Sequence, residues 1–311
     1  MRENSLNDIR LNMKKILLTG VNGQVGHALQ KKLAQYELFA LNRDQLDLSD
    51  ADAIRRTVQI IKPDIIINPA AYTAVDKAEV EPELAYAINA IAPQILAEEA
   101  AKLNAALIHF STDYVYDGTK ISAYVETDSV NPLSVYGQSK LAGEQAVTAV
   151  GLPHLILRTS WVYGAYGKNF LKTIIRLAGE RESLRIVADQ YGAPTSNESI
   201  AEAVVSLLTA WQVNNASQTG VYHLTNQENT SWHGFSCAII KEYNQVALSK
   251  KWPPLKANVS NVAPICTAEY PTPAARPANS TLNNEKLKQV FNITLPTWQQ
   301  GLQQVMHSLA L

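Results

Sequence analysis

Residues 15–26 of the chain read Lys15-Ile16-Leu17-Leu18-Thr19-Gly20-Val21-Asn22-Gly23-Gln24-Val25-Gly26. A short apolar run passes directly into three glycines, which is the order of strand, tight turn and helix start in nucleotide-binding folds. Gly20 can make the turn, Gly23 lets a pyrophosphate approach the backbone, and Gly26 permits close packing of helix on strand. Gln24 and Val25 lie in the same loop, where free N–H groups would face phosphates. The stretch predicts a dinucleotide site, with an ordinary glycine turn as the alternative.

The rest of the first half repeats this alternation of short apolar runs and longer helical patterns. Such alternation predicts right-handed crossovers and a parallel sheet covered on both faces, which is a doubly wound α/β fold of Rossmann type. The predicted strands are Lys15 to Thr19, Glu37 to Leu41, Asp64 to Asn68, Ala106 to Ser111 and Leu155 to Thr159, with further candidates at Arg185 to Val187 and Val221 to Leu224.

Three regions follow from the same pattern. Residues 1–12 are polar and are predicted to be a disordered extension. Residues 13–160 are predicted to form mainly the dinucleotide-binding domain. Residues 161–311, where prolines and aromatics increase, are predicted to form mainly a smaller substrate-binding region, with some of the chain crossing back to the sheet. The first predicted helix runs to about Tyr36, and a later one spans residues 197–211.

Composition limits the classes of function. The 311 residues carry a net charge of −1, and Lys and Arg are scattered rather than gathered in a stripe, so nucleic acid is not an expected partner. The longest apolar runs are far too short to span a membrane, so a membrane partner is not expected either. Cys237 and Cys266 have neither metal-ligand nor redox-motif spacing, which fits a soluble protein of the reducing cytoplasm.

The end of the second predicted strand bears on the choice of cofactor. An acidic residue there suits the ribose hydroxyl of NADH, whereas an arginine suits the 2′-phosphate of NADPH. The sequence reads Leu41-Asn42-Arg43, so we expect NADPH to be accepted, with Arg43 near the phosphate; NADH, with Arg43 as a solvated surface residue, is the alternative. Further expected contacts with the adenine, ribose or nicotinamide are Asn42, Asp47, Leu48, Ala70, Ala71, Tyr72 and Thr73.

Candidate catalytic groups follow the fourth predicted strand. Thr112 and Asp113 come at its end, where ligands bind in such sheets, and Tyr136 and Lys140 stand four positions apart, on one face of a helix. A phenol has a pKa of about 10, and a neighbouring ammonium would stabilise the phenolate and ease proton donation. Tyr136 is predicted to protonate a carbonyl oxygen that Thr112 also binds, while Lys140 holds the nicotinamide ribose.

Several segments together carry a resemblance to a known family. The chain resembles the extended short-chain dehydrogenase/reductases, and within them the family of dTDP-4-dehydrorhamnose reductases. Beside the glycine loop, the segments that carry the resemblance are residues 68–79 (NPAAYTAVDKAE), 111–118 (STDYVYDG), 136–140 (YGQSK), 158–164 (RTSWVYG), 189–195 (DQYGAPT) and 276–280 (RPANS).

The resemblance implies reduction of dTDP-4-dehydro-6-deoxy-L-mannose at C4 by NADPH or NADH, which yields dTDP-L-rhamnose for a bacterial cell envelope. It implies catalytic roles for Thr112, Tyr136 and Lys140, and it places Asp113 and Trp161 at the sugar-nucleotide site. An indole can pack on a sugar or a base while its N–H makes a polar contact. Simple core packing of Trp161 is the alternative.

One position departs from the family pattern. Some members have a glutamate two residues after the last glycine of the loop, in a Mg²⁺ site associated with a homodimer, and this chain has Ala28 there. Glu198 matches another ligand of that site, but a hard cation with one remaining carboxylate would bind weakly. The sequence therefore does not favour the metal or that dimer. Glu198 is expected at a helix start instead.

Two other classes of function stay open at this point. A sugar-nucleotide epimerase or dehydratase shares the fold and the Tyr-Lys pair, but it regenerates its cofactor within each turnover. A non-catalytic regulatory subunit of the same fold would have no chemical need for Thr112, Tyr136 and Lys140 together.

Overall fold

The structure is a computed structural model that describes residues 14–211 and 216–310. The predicted extension at residues 1–12 lies outside the described residues. In chain order the strands are β1 (Lys15–Leu18), β2 (Glu37–Ala40), β3 (Ile65–Asn68), β4 (Ala106–Thr112), β5 (His154–Thr159), β6 (Val162–Tyr163), β7 (Leu184–Val187), β8 (Tyr191–Gly192), β9 (Thr195–Ser196), β10 (Gly220–His223), β11 (Thr230–Ser231) and β12 (Val262–Ile265).

A six-stranded parallel sheet in the order β10-β5-β4-β3-β1-β2 forms the centre of the fold. Strands β3, β4 and β5 are buried along their whole length, since helices cover both faces, and this explains why β3 begins with three consecutive apolar residues and does not alternate. The register places Asn68, the last residue of β3, opposite His109 of β4. The Rossmann-type α/β prediction is confirmed.

The helices are α1 (Gln24–Lys32), α2 (Ala51–Ile61), α3 (Val75–Ala78), α4 (Pro82–Tyr86), α5 (Ala92–Lys102), α6 (Val135–Val150), α7 (Phe170–Glu180), α8 (Asn197–Ala210), α9 (Trp232–Lys250), α10 (Glu285–Phe291) and α11 (Trp298–Ser308). Helices α1, α8 and α10 pack on one face of the sheet, and α2, α5 and α6 pack on the other. No helix within the described ranges combines the length and apolar character that a membrane crossing requires.

A second core lies beside the sheet. Helices α7, α9 and α11 bury apolar side chains such as Ile174, Phe235 and Val305 against one another. Three short pairs of strands border this core: β6 with β9, β7 with β12, and β8 with β11. Between them the chain returns once to the central sheet, where β10 pairs with β5. The division of the chain at residue 160 stays a prediction.

One local expectation needs correction. The first helix ends at Lys32 rather than near Tyr36, because Leu33 leaves helical geometry and the chain turns there, with the Tyr36 N–H donating to the Leu33 carbonyl. The strand candidate at residues 185–187 is confirmed as β7, which pairs with β12 outside the central sheet. The other predicted strands lie within one residue of their expected bounds.

Candidate active site

The site lies where the strand order reverses. The chain leaves β1 for β2 on one side and returns to β3 on the other, and such a point opens a crevice at the carboxyl ends of the strands. A cavity of about 600 Å³ occupies this crevice. Of the residues predicted to bind the cofactor, all except Asn42 line it: Gly20, Gly23, Gln24, Val25, Gly26, Arg43, Asp47, Leu48, Ala70, Ala71, Tyr72, Thr73, Tyr136 and Lys140.

Asn42 has a local structural role instead. Its side-chain oxygen accepts from the Gln45 backbone N–H at 3.1 Å, and the Gln45 side chain accepts from the Asn42 N–H at 3.0 Å. The pair closes the turn after β2. The neighbouring Arg43 side chain is 71% exposed, with Nε 3.8 Å from a carboxylate oxygen of Asp47. Arg43 is therefore a cation free to meet an anionic ligand at the end of the cavity.

The glycine loop has no room for side chains. Gly20 has a φ of +61°, a conformation that favours glycine, and a Cβ there would lie 2.8 Å from the Ala70 Cβ. A Cβ on Gly26 would lie 2.2 Å from the Gly20 carbonyl oxygen. The loop and α1 are thus in backbone contact, and Gly23 caps the start of α1 without a side-chain hydrogen bond to its first N–H groups. This cradle fits a pyrophosphate, whose charge the helix N-terminus favours.

Tyr136 and Lys140 reach the cavity from the start of α6. The Ser134 side chain accepts from the Gly137 N–H and caps this helix. Because Tyr136 and Lys140 are four residues apart, their side chains leave the first turns on the same face. Tyr136 is partly buried, and burial raises the pKa of its phenol to about 12 although Thr112 hydrogen-bonds to it. The phenol is therefore fully protonated at neutral pH.

The hydrogen-bond partners of the Lys140 side chain differ from those expected. Its Nζ donates to the Phe110 carbonyl oxygen at 2.6 Å and lies 3.4 Å from Nε2 of His109. Burial lowers the pKa of Lys140 to about 8, against the opposing charge of Glu144. The expected lowering of the Tyr136 pKa is wrong for this structure, because β4 holds the ammonium and burial dominates at the phenol.

Thr112 and Asp113 lie at the end of β4, beside Tyr136. The Thr112 hydroxyl donates to a carboxylate oxygen of Asp113 at 3.0 Å. Burial raises the pKa of Asp113 to about 6, although hydrogen bonds from Ser280 and Thr112 oppose it. The structure thus brings a hydroxyl, a phenol and a carboxyl group together beside the cavity, which Tyr136 lines and Thr112 and Asp113 do not.

Trp161 stands apart from this group, on the side of the second core. Its ring stacks on Trp232 at a centroid distance of 3.4 Å and an interplanar angle of 6°. Its φ of +47° is left-handed, a conformation that is rare for a bulky residue and often marks a functional position. A Cβ on Gly192 would lie 2.5 Å from its ring. The indole is therefore held between Trp232 and the β8 backbone, only partly buried.

Comparison with known proteins agrees with this geometry. The model of the RmlD substrate binding domain family matches residues 13–311. A dTDP-4-dehydrorhamnose reductase of Burkholderia thailandensis is 48% identical over 288 residues, which cover 91% of this chain and 95% of that protein. The chain belongs to the family of these reductases.

Solved structures support the assignment to the family. A dTDP-4-dehydrorhamnose reductase of Bacillus anthracis, in complex with NADP, superposes with a TM-score of 0.86 and 36% identity over 95% of this chain and 99% of that one. A dTDP-glucose 4,6-dehydratase of Streptomyces venezuelae has a TM-score of 0.75 over 94% of this chain and 96% of its own length. At 16% identity, it shows only that the fold is shared.

The departure at Ala28 has a packing basis. Ala28 is fully buried in α1, in the core shared with α8. Glu198 lies in the first turn of α8, where a negative charge is favourable, and its charge reaches His27 of α1. Within the described residues, His, Cys, Asp and Glu side chains form no group of three that could hold a metal ion. The homodimer stays a prediction.

Sequence reasoning missed several residues at the site. Thr159 and Lys168 line the cavity. Thr159 lies in the segment at residues 158–164 but was not singled out there, and Lys168 belongs to no pattern that points to a ligand. Asn89 lies in a π-helical turn at Ala87–Ile91, where its side chain bonds to both the N–H and the carbonyl of Tyr72 and donates to Ser139. A π-helical turn is frequent at functional sites, and this one ties the loop after β3 to α6.

Proposed function

We propose that the protein reduces the C4 keto group of dTDP-4-dehydro-6-deoxy-L-mannose and so produces dTDP-L-rhamnose. The observation that carries the proposal is the meeting of Tyr136 and Lys140 with the glycine loop in one cavity. Membership of the reductase family supports the choice of substrate, and the NADP complex of the Bacillus anthracis relative supports the choice of cofactor.

The residues that would hold the cofactor fit a dinucleotide. The backbone of Gly20 to Gly26 would hold the pyrophosphate, Arg43 the 2′-phosphate, and Lys140 the nicotinamide ribose. When bound, NADPH supplies the hydride. NADH is the alternative donor, and the exposed Arg43 side chain supports NADPH.

The remaining chemistry belongs to the side chains at the end of β4 and the start of α6. Tyr136 donates its proton to the carbonyl oxygen of the substrate as negative charge develops there, and Thr112 hydrogen-bonds the same oxygen. We place Asp113 and Trp161 at the sugar nucleotide, Asp113 through its carboxylate and Trp161 through the face of its indole.

We also place the protein in the cytoplasm as a soluble enzyme that needs neither nucleic acid nor a membrane. Cys237 and Cys266 are both free thiols, which suits a reducing compartment.

The test is NADPH consumption with freshly generated dTDP-4-dehydro-6-deoxy-L-mannose. We expect one NADPH to be oxidised per substrate molecule, and we expect Tyr136→Phe to lower kcat by about 10²- to 10⁴-fold while NADPH still binds. Tyr114→Phe is the matched control, because its ring lies 5.8 Å from that of Tyr136, and it should keep most of the activity.

Other results would point elsewhere. Conversion of the sugar nucleotide without net NADPH consumption would indicate an epimerase or a dehydratase. Cofactor binding with no conversion of any sugar nucleotide would favour a regulatory subunit. A collapse in Tyr114→Phe rather than in Tyr136→Phe would show that the proton donor is wrongly assigned.

A further inference from the structure

A row of four polar side chains crosses the sheet beneath the cavity. The Thr19 hydroxyl donates to the Asn68 side-chain oxygen at 2.6 Å. The Asn68 amide nitrogen lies 3.1 Å from Nδ1 of His109, and Nε2 of His109 lies 3.4 Å from Nζ of Lys140. The row thus joins the ends of β1, β3 and β4 to α6 through consecutive contacts.

This row is shielded from water. Thr19, Asn68, His109 and Lys140 are each at most 2% exposed. The parallel register of β3 and β4 sets Asn68 beside His109, so the contact between them is fixed by the sheet. Buried polar groups at such positions are costly unless each has a partner, and here each has one.

The hydrogen bonds determine which nitrogen of His109 carries a proton. The Asn68 oxygen accepts from Thr19, so its amide nitrogen, which can only donate, faces Nδ1. Nδ1 must then accept, and a neutral imidazole carries its single proton on Nε2. Burial and the Lys140 charge hold the pKa of His109 well below its ordinary value, against a hydrogen bond to the Asn68 backbone that raises it, which agrees with a neutral ring.

An Nε2–H group therefore faces the Lys140 side chain. An ammonium cannot donate to it, whereas a neutral amine can accept from it. The ammonium has a better partner in the Phe110 carbonyl oxygen, which lies 2.6 Å from Nζ. The two contacts act on the two protonation states of one nitrogen: the carbonyl favours the charged form and the imidazole N–H favours the neutral form.

Building on the proposed reductase function, we propose that His109 is a positioning residue: it is held in the Nε2–H form by Asn68 and Thr19, and it stabilises the neutral amine of Lys140. This lets Lys140 return a proton to Tyr136. Once the phenol has protonated the substrate oxygen, one N–H bond of the ammonium breaks and the phenolate regains its O–H bond. The remaining amine accepts a hydrogen bond from His109 until it takes up a proton from the side of the cavity, which Lys140 lines.

The charged groups around Lys140 are few. On its own helix, Glu144 is held by Arg158 of β5, and Tyr136 is the phenol it would serve. From β4 only His109 faces it with a titratable group, and the charge of His154 reaches His109 from β5. Glu144 favours the ammonium, and burial opposes it. A substitution at His109 should therefore change the pH at which Lys140 loses its proton.

The first measurement uses the native protein and no activity. NMR of protein labelled with ¹⁵N only in histidine shows which ring nitrogen is protonated, and the spectrum of His109→Gln identifies the His109 signals by their absence. We expect a neutral His109 with its proton on Nε2 throughout neutral pH. A proton on Nδ1, or an imidazolium, would overturn the proposal.

The second measurement is the pH dependence of kcat. In the native enzyme we expect kcat to fall as pH rises through about 8, where Lys140 loses its charge. His109→Phe removes the N–H and should move this fall upward by about half a pH unit or more, with kcat lower at neutral pH. His109→Gln can accept from Asn68 and donate to Lys140, so it should restore the native profile.

These outcomes are separable from failure of the proposed function. NADP binding by each variant, followed by intrinsic fluorescence, shows that the fold and the cavity are intact. An alkaline limb at the same pH in His109→Phe and in the native enzyme would refute the role of His109, while native NADPH consumption would still support the reductase. If no substrate is consumed by the native protein, the histidine NMR result still decides the tautomer.

Discussion

The cofactor side of the site, which the cavity forms, and the proposed substrate side, which lies beside it at Thr112, Asp113 and Trp161, are built in different ways. The cofactor side uses short local motifs, chiefly the glycine loop at residues 20–26 and the Tyr-Lys pair at residues 136–140. The substrate side depends on distant partners. Arg276 donates to Asp76 at 2.9 Å across 200 residues of chain, for example. Local patterns can reveal the first kind of site, whereas the second exists only once the chain has folded.

A buried network ties α6, the helix of Tyr136 and Lys140, to strands β5 and β10 of the central sheet. Glu144 of α6 accepts from Arg158 of β5 at 2.9 and 2.6 Å. Arg158 also donates to the Tyr116 hydroxyl at 2.6 Å, and that hydroxyl lies 2.9 Å from Nε2 of His223 on β10. The catalytic helix is thus connected to the strand that returns from the substrate side.

The largest effect should come from breaking this connection. Glu144→Gln keeps the shape of the side chain but leaves the Arg158 guanidinium buried without a counter-charge. Such a change should lower the free energy of unfolding by about 3–5 kcal/mol. The measurement is urea unfolding followed by circular dichroism, with the midpoint compared at unchanged slope.

Glu202→Gln is the matched control for Glu144→Gln. It breaks an ion pair with Lys32 of similar length, 3.0 Å, whose side chains are 39% and 58% exposed. An exposed pair should contribute less than about 1 kcal/mol. Equal losses in the two variants would mean that the buried network does not stabilise the fold beyond an ordinary surface pair.

Much of the fold could be predicted because fully buried strands appear in the sequence as short apolar runs. Ile65 to Ile67 forms an uninterrupted apolar run because helices cover both faces of the sheet there. The pairing of β7 with β12 could not be predicted, since the sequence of a four-residue strand does not indicate which other strand it will pair with. The π-helical turn at residues 87–91 carries Asn89, whose contacts with Tyr72 and Ser139 exist only in the folded chain.

The candidate site also combines features that local sequence predicts with features that depend on the folded chain. The spacing of Tyr136 and Lys140 predicts a shared helix face, and that proximity follows from helix geometry alone. The hydrogen bond of Lys140 to the Phe110 carbonyl oxygen, and the row that ends in His109, depend on strand register. Sequence patterns therefore identify the reactive groups, but they do not show what holds them or sets their protonation.

A substitution on the substrate side should leave the cofactor side unchanged. Trp232→Ala removes the ring against which Trp161 stacks, and an aromatic pair contributes about 0.5–1.5 kcal/mol. We expect the KM for the sugar nucleotide to rise about 3- to 10-fold, because Trp161 loses its fixed orientation. The dissociation constant of NADP should not change. Steady-state kinetics and a binding titration check the two values.

Trp252→Ala provides the comparison for Trp232→Ala. Trp252 also packs on an aromatic ring, but that ring belongs to Tyr243, at 5.0 Å, and not to Trp161. Its loss should lower stability without a change in KM. If both variants raise KM equally, the effect of Trp232 is a general loss of packing and not the placement of Trp161.

The smallest effect should be at the adenosine end of the cofactor side. Arg43→Ala removes an exposed cation that we place near the 2′-phosphate of NADPH. Exposed ion pairs contribute about 0.2–1 kcal/mol, so the dissociation constant of NADPH should rise by up to about fivefold, while that of NADH stays the same. Arg56→Ala, an exposed arginine on α2 outside the cavity, should change neither constant. Because salt screens exposed charges, high ionic strength should reduce the difference in dissociation constant between NADPH and NADH in the native protein. In Arg43→Ala the same change in salt should have no such effect. A preference for NADPH that survives the substitution would show that the cofactor is selected by the backbone of the turn after β2, and not by this charge.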